Sequence, residues 1–304
     1  VSSANQAAAN QGRAVAFAVL TAFLFSGSDA LIKQLLLLAP FVWLLLLRYV
    51  FQLTTLASWA ALKGRRLSPG PWRLQLLRST LLAGSSFSGY LALKHVPLAD
   101  YTALMMLAPV ASVLLGKLVL RESVSPLQWG CVVVGVLGML AVVRPEFSAV
   151  NIPAWAAVLS ACCYAGFQLV SRKVMAVADV LSSNIFAAVF MVTLAGLTLV
   201  VWPVDWGLVA ERLDWAWWLQ FALMCAVATG GQVSLTVALQ SGALSLVAPF
   251  AYLQIVFAIL IGLAFFGHWP DWASFMGMLL IAVSGMGAAW LAGRHRPPVL
   301  NSPL

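Results

Sequence analysis

The chain reads as an all-α polytopic membrane protein, with ten transmembrane helices forming two inverted-topology five-helix repeats. Three observations carry this. The 304 residues are 62% hydrophobic and 9% charged, whereas soluble domains hold about 25% charged residues. No soluble fold hides that much apolar surface. Ten apolar runs follow one another with short connections, and a run of about 20 residues crosses a bilayer as a helix. Finally, the chain repeats itself. Ala18-Val-Leu-Thr-Ala-Phe-Leu-Phe-Ser-Gly27 returns as Ala157-Val-Leu-Ser-Ala-Cys-Cys-Tyr-Ala-Gly166. Chain order is kept at a nearly constant offset, so that Gly84 meets Gly230, Leu107 meets Leu253 and Gly138 meets Gly285.

The spans fall in order. Residues 1–13 are polar and rich in Ala, Asn and Gln, and are expected to be a disordered cytoplasmic N-terminus. The first span, 14–34, carries the duplicated opening. It is therefore not a removable signal peptide, which would have no reason to be duplicated. The second, 40–62, holds Arg48. The third, 74–94, contains Gly84-Ser-Ser-Phe-Ser-Gly-Tyr90, whose Gly84/Ser88 and Ser85/Gly89 pairs let helices approach closely. The fourth, 98–119, includes Pro109, tolerated in a membrane when neighbours satisfy the freed carbonyl. The fifth, 126–143, closes the first repeat (14–143), and 144–151 is an outer linker. The second repeat (152–292) follows with spans at 152–172, 180–202, 216–238, 244–266 and 271–292, the fourth of them holding Pro249. A cytoplasmic tail occupies 293–304. Glycines Gly130, Gly135 and Gly138, with Gly277, Gly285 and Gly287, mark packing or dimer faces in the fifth and tenth spans, so a monomer or homodimer is expected.

Five spans per copy, an odd number, force the second copy to enter the bilayer upside down. That architecture belongs to secondary transporters whose site lies between the halves. Charge agrees with the reversal. With ten spans both termini share a side. That side receives Arg13, Lys63, Arg65, Arg66, Arg73, Arg78, Lys117, Arg121, Arg172, Lys173, Arg294 and Arg296, against Lys33, Lys94, Arg144 and Arg212 on the other. The basic excess puts both termini in the cytoplasm. The net charge of +8 is thus a topology signal and a contact for anionic lipid, not a nucleic-acid footprint. All 13 Trp sit near span ends, as interfacial anchors do.

Enzyme chemistry lacks its parts. The three His flank spans or lie in the tail. There is no HExxH, no GxSxG with Asp and His at matching depth, and no P-loop. The four Cys lie inside spans without metal-ligand spacing. No catalysis, cofactor or metal is expected.

The polar residues inside spans carry the functional reading, because an ionisable group in the membrane faces the bundle interior or a cavity. Asp29 is either a proton or cation carrier, a partner for a substrate amino group, or half of a structural pair with Lys33 one turn away or Arg48 on the next span. Its repeat partner, Gln168, does not titrate, so coupling would rest on one half alone. Arg48 reads as structural, tying span ends through buried carbonyls. Repeat-related pairs bring polar tips or soft side chains to similar depth: Ser86 with Gln232, Tyr90 with Thr236, Phe25 with Tyr164, Met106 with Tyr252. Singly, each is better explained by helix packing. Together with Ser26, Tyr101 and Met105 they outline a pocket of aromatics, Met and neutral polar groups. Such a lining suits a zwitterionic or amphipathic small solute better than a phosphate, which calls for clustered Arg or Lys.

These features resemble the drug/metabolite transporter superfamily, specifically ten-span proteins built of two EamA-type domains. The resemblance rests on the paired openings at 18–27 and 157–166, on Tyr90-Leu-Ala-Leu-Lys-His-Val-Pro-Leu-Ala-Asp-Tyr-Thr-Ala-Leu, and on Leu107-Ala-Pro-Val…Leu120-Arg-Glu122 followed by Gly130 and Gly135. The second copy departs from it, with His268 where the first has Glu122. Within the superfamily the chain is similar to bacterial aromatic amino-acid exporters. The resemblance implies export of amino acids and related metabolites across the bacterial inner membrane by alternating access. It implies a pathway between the first, third, fourth, sixth, eighth and ninth spans. A drug or sugar-derivative carrier of the same fold, or a non-transporting scaffold, is the alternative.

Overall fold

The structure, a computed structural model, describes residues 2–65, 67, 68, 70–108, 111, 115, 126–143, 152–201, 213–241, 250–267 and 269–294. Pro109, Lys117, Arg121, Glu122, Pro249, His268 and the 144–151 linker lie outside them.

Ten helices are formed by these residues: α1 Ser2–Leu35, α2 Phe41–Leu62, α3 Trp72–His95, α4 Leu98–Met105, α5 Pro126–Val143, α6 Ile152–Met175, α7 Val180–Val201, α8 Trp215–Ser241, α9 Leu253–Phe266 and α10 Trp272–Arg294. Gln11–Leu35, Phe41–Leu62, Ile152–Met175, Val180–Val201 and Trp215–Ser241 are each long and apolar enough to cross a membrane. The exterior is greasy: Leu223, Leu260 and Val283 stand more than half exposed, as lipid-facing positions should.

Helix starts follow from residue chemistry, differently in the two repeats. Pro40, Pro71 and Pro97 stand immediately before α2, α3 and α4, where an absent N–H costs nothing. In the second repeat carboxylates cap instead. Asp179 Oδ2 accepts from the Ser182 N–H at 3.1 Å, Asp214 Oδ1 from Trp217 at 2.8 Å and Asp271 Oδ1 from Ser274 at 2.9 Å.

Two boundaries differ from expectation. Residues 2–13 are helical, continuous with α1, rather than disordered. Ala4, Ala7, Ala8 and Ala9 favour helix strongly, and extending an existing helix avoids the cost of nucleation. The fourth and ninth spans are interrupted. α4 ends at Met105 with a turn at Met106 and Leu107, and the ninth span breaks at Tyr252 before α9 begins. Proline follows α4 at position 109 and has no N–H to give the Met105 carbonyl.

The helices interleave across the repeats. The main partnerships are α1 with α8, α3 with α6, α2 with α7 and α5 with α10, with α4 against α9. Exchanging the repeats turns the first pairing into the second and the others into themselves. This is the contact pattern of a twofold relation between α1–α5 and α6–α10. The α5–α10 seam closes on glycine. A Cβ at Gly138 would meet the Gly277 carbonyl at 2.8 Å, and one at Gly277 the Gly138 carbonyl at 2.8 Å. These glycines therefore join two helices of one chain.

Arg78, expected as a flanking cytoplasmic charge, is fully buried. Its Nε donates to Ser171 Oγ at 2.9 Å and Nη1 to the Ser183 carbonyl at 3.0 Å, with Phe167 beneath the guanidinium at 4.9 Å. Arg78 thus bonds the first repeat to two helices of the second. Two tryptophans also depart from the anchoring role. Trp43 and Trp217 are buried and stacked 5.7 Å apart, and Trp217 stacks in turn on Phe221 at 5.4 Å. Trp202 and Trp206 lie outside the described residues.

Candidate functional site

Between the repeats lies a cavity of about 90 Å³. That is room for several waters but not for a metabolite without some helix movement. α1 presents Phe25, Ser28, Asp29 and Ile32 to it, a helical stripe of one face. α3 presents Leu82, Ser85, Ser86, Gly89 and Tyr90 in the same spacing. α2 adds Arg48 and Tyr49, and α4 and its terminal turn add Tyr101, Met105 and Met106. α6 gives Tyr164, α8 Gln232 and α9 Gln254.

Phe25, Asp29, Ser86, Tyr90, Tyr101, Met105, Met106, Tyr164 and Gln232, expected from the sequence, are thus brought together. Four others are not in the lining. Ser26 is buried beside it, its Oγ donating to the Gln254 carbonyl at 2.9 Å, so it ties α1 to α9. Thr236 turns to α7, where Asn184 Nδ2 donates to its Oγ1 at 3.2 Å. The Tyr252 hydroxyl donates to the Met106 carbonyl at 3.3 Å. Gln168 lies one turn beyond Tyr164, outside the lining.

Neither Lys33 nor Arg48 forms an ion pair with Asp29 among the described residues. Lys33 Nζ donates instead to the Leu93 and Val96 carbonyls at 3.1 and 2.6 Å. This satisfies the end of α3 and takes the amine away from the carboxylate. Arg48 lies over the Tyr49 ring at 4.8 Å and its Nη1 donates to the Tyr49 hydroxyl at 3.4 Å. It ties no carbonyls among the described residues; it faces the cavity. Asp29 Oδ2 accepts from Gln254 Nε2 at 3.4 Å, and among the described residues it has no ion pair. Among polar lining residues, sequence reasoning missed Ser28, Arg48, Tyr49, Ser85 and, above all, Gln254. Its signal was legible, because it is the lone polar residue in the run 253–266.

The remaining wall is hydrogen-bonded across helices. The Tyr49 hydroxyl meets Ser86 Oγ at 3.1 Å, and Ser160 Oγ donates to the Ser85 carbonyl at 2.8 Å. Gly89 leaves space for chemistry: a Cβ there would meet Tyr101 Oη at 2.9 Å and Ser160 Oγ at 3.0 Å. Among the described residues, three buried polar atoms of the lining, Arg48 Nε, Tyr90 Oη and Gln232 Nε2, have no well-aligned hydrogen-bond partner. Each such group costs about 1–3 kcal/mol. Their convergence on one cavity marks a place that water or a polar solute completes.

Known proteins resemble this chain along most of its length. Residues 12–144 and 151–289 each match the family described as the EamA-like transporter family. The pseudopaline exporter of Pseudomonas aeruginosa is 28% identical over 274 residues, covering 89% of this chain and 93% of that protein. The riboflavin transporter of Rhizobium johnstonii is 28% identical over 218 residues, covering 69% of this chain and 68% of its own. The human solute carrier family 35 member G1 is 27% identical, covering 91% of this chain and 79% of its own. A crystal structure of a protein that shares 19% identity superposes with a TM-score of 0.67, covering 92% of this chain and 98% of that one. At that identity the likeness is one of fold.

Proposed function

This chain belongs to the EamA-like transporter family, and from that premise we propose that it is a secondary carrier exporting amino acids, aromatic or other apolar ones above all, across the cytoplasmic membrane. Both termini would lie in the cytoplasm, where the basic residues of the loops concentrate. The two repeats would rock about the cavity and expose it to each side in turn. The observation that carries this reading is the lining itself. A carboxyl at Asp29, a guanidinium at Arg48 and polar atoms at Tyr90 and Gln232 stand beside Phe25, Met105 and Met106. A zwitterion with an apolar tail matches that mixture, and methionine adapts to tails of varied shape. A falling solute gradient suffices as driving force, and Asp29 supplies a carboxyl for proton antiport.

The deciding experiment is a flux screen of the amino acids in proteoliposomes of the purified protein. Saturable movement of phenylalanine, tryptophan or leucine is the expected result, and no movement of any amino acid rejects the proposal. A carrier of larger metabolites is the competing reading, favoured by two relatives that bear the names of pseudopaline and riboflavin. Riboflavin flux in the same vesicles, with no amino-acid flux, would select it.

A further inference from the structure

A carboxyl and a guanidinium face one cavity without forming an ion pair among the described residues. Asp29 on α1 and Arg48 on α2 both line it. The carboxylate takes its hydrogen bond from Gln254, and the guanidinium gives one to Tyr49. The ion pair found among the described residues is elsewhere, Arg65 with Asp179 at 3.6 Å. Unlike charges in a poorly solvated interior attract strongly, and a flexible arginine stem reaches a nearby acid readily. Here the stem is held back. Its guanidinium packs on the Tyr49 ring, whose hydroxyl is itself tied to Ser86 on α3. The result is a fixed cation whose Nε has no partner among the described residues, with the Tyr90 hydroxyl beside the guanidinium. Both keep an N–H or O–H able to donate into the cavity. The Asp29 side is the reverse: a carboxylate with one neutral donor and spare lone pairs.

We propose that these are the two poles of a zwitterion site. The solute carboxylate would accept from Arg48 and the Tyr90 hydroxyl, and the solute ammonium would donate to Asp29. The apolar tail then lies toward Met105, Met106 and Phe25. This rests on the amino-acid reading above and adds which residue reads which end. Arg48 is the specificity-determining residue, because a guanidinium and a hydroxyl converging on one carboxylate reject a neutral isostere, which leaves them unpartnered. Asp29 does the same for the ammonium.

The test is competition against labelled phenylalanine flux in proteoliposomes, using phenylalaninamide, which lacks the carboxylate charge, and N-acetylphenylalanine, which lacks the ammonium. The wild-type protein should prefer phenylalanine to either analogue by about ten- to a hundredfold, the scale of a hydrogen bond to a charged group. Arg48→Gln should abolish discrimination against the amide while keeping it against the N-acetyl compound. Asp29→Asn should do the opposite. Arg48→Lys, which keeps the charge and loses the fork, should retain part of the preference for the carboxylate. If a variant is too slow for flux, calorimetric binding of the same three compounds to purified protein reads the same ratios. Equal weakening toward all three compounds in both variants overturns the assignment while leaving amino-acid transport standing. A wild-type protein that moves riboflavin but no amino acid overturns the reading beneath it as well.

Discussion

The Tyr252 hydroxyl donates to the Met106 carbonyl at 3.3 Å, and the two residues, 146 apart in the chain, are partners in the internal repeat. Each stands where its span is interrupted. The contact therefore joins the two repeats at equivalent points, yet only one side has a hydroxyl to give. Symmetry of backbone is kept while symmetry of chemistry is broken.

Tyr252→Phe removes that bond and nothing else of the side chain. A loss of about 0.5–1.5 kcal/mol is expected, read as a lowered thermal midpoint in detergent. Because Tyr252 does not line the cavity, KM for the transported solute should stay within about twofold while the maximal rate changes. A large KM shift with unchanged rate would place Tyr252 in the site instead.

Gly89→Ala should damage the cavity wall. The new methyl would stand 2.9 Å from Tyr101 Oη and 3.0 Å from Ser160 Oγ, and both oxygens belong to packed helices. Destabilisation of about 1–3 kcal/mol is expected, with reduced flux. Gly130→Ala is the control, since nothing lies within 4 Å of a Cβ there; it should be neutral in the same thermal assay.

Arg78→Gln should loosen the join between the repeats. It removes donors to Ser171 Oγ and to the Ser183 carbonyl, groups left buried without them. A cost of about 3 kcal/mol is expected for two charged hydrogen bonds. Arg78→Lys should not restore it, because an ammonium cannot reproduce the guanidinium fork. Thermal unfolding of the purified variants measures both.

Proton coupling through Asp29 predicts that an imposed pH gradient accelerates wild-type flux and leaves Asp29→Asn indifferent to it. The ionisable groups that share the cavity with Asp29 are Arg48, Tyr49, Tyr90, Tyr101 and Tyr164. Flux measured with and without the gradient decides the matter; the same acceleration in both proteins removes the coupling role.

Much of the architecture was legible in the chain because it is written in runs. Apolar length declares a span, and the matching of 18–27 with 157–166 declares the duplication. Each is a local or statistical signal that survives without knowing any contact. The cavity set was partly legible for the same reason: a tyrosine or amide in an apolar run needs an interior partner. What sequence could not supply was direction. Asp29, Lys33 and Arg48 are close enough in the chain to be read as a neutralising group. Yet Lys33 turns to the end of α3, Arg48 is held on Tyr49, and Asp29 is left to Gln254 from the far half of the chain.

By itself, then, the sequence determined a lipid-embedded helical protein of two repeats, since hydropathy and periodicity follow from residue types alone. Tertiary structure decided which polar residues meet. A helix presents a new side chain every 100° or so. Whether Ser26 or Asp29, Tyr252 or Gln254, reaches the cavity depends on the rotation of α1 and α9, and that rotation is set by packing such as the Ser26 bond to the Gln254 carbonyl.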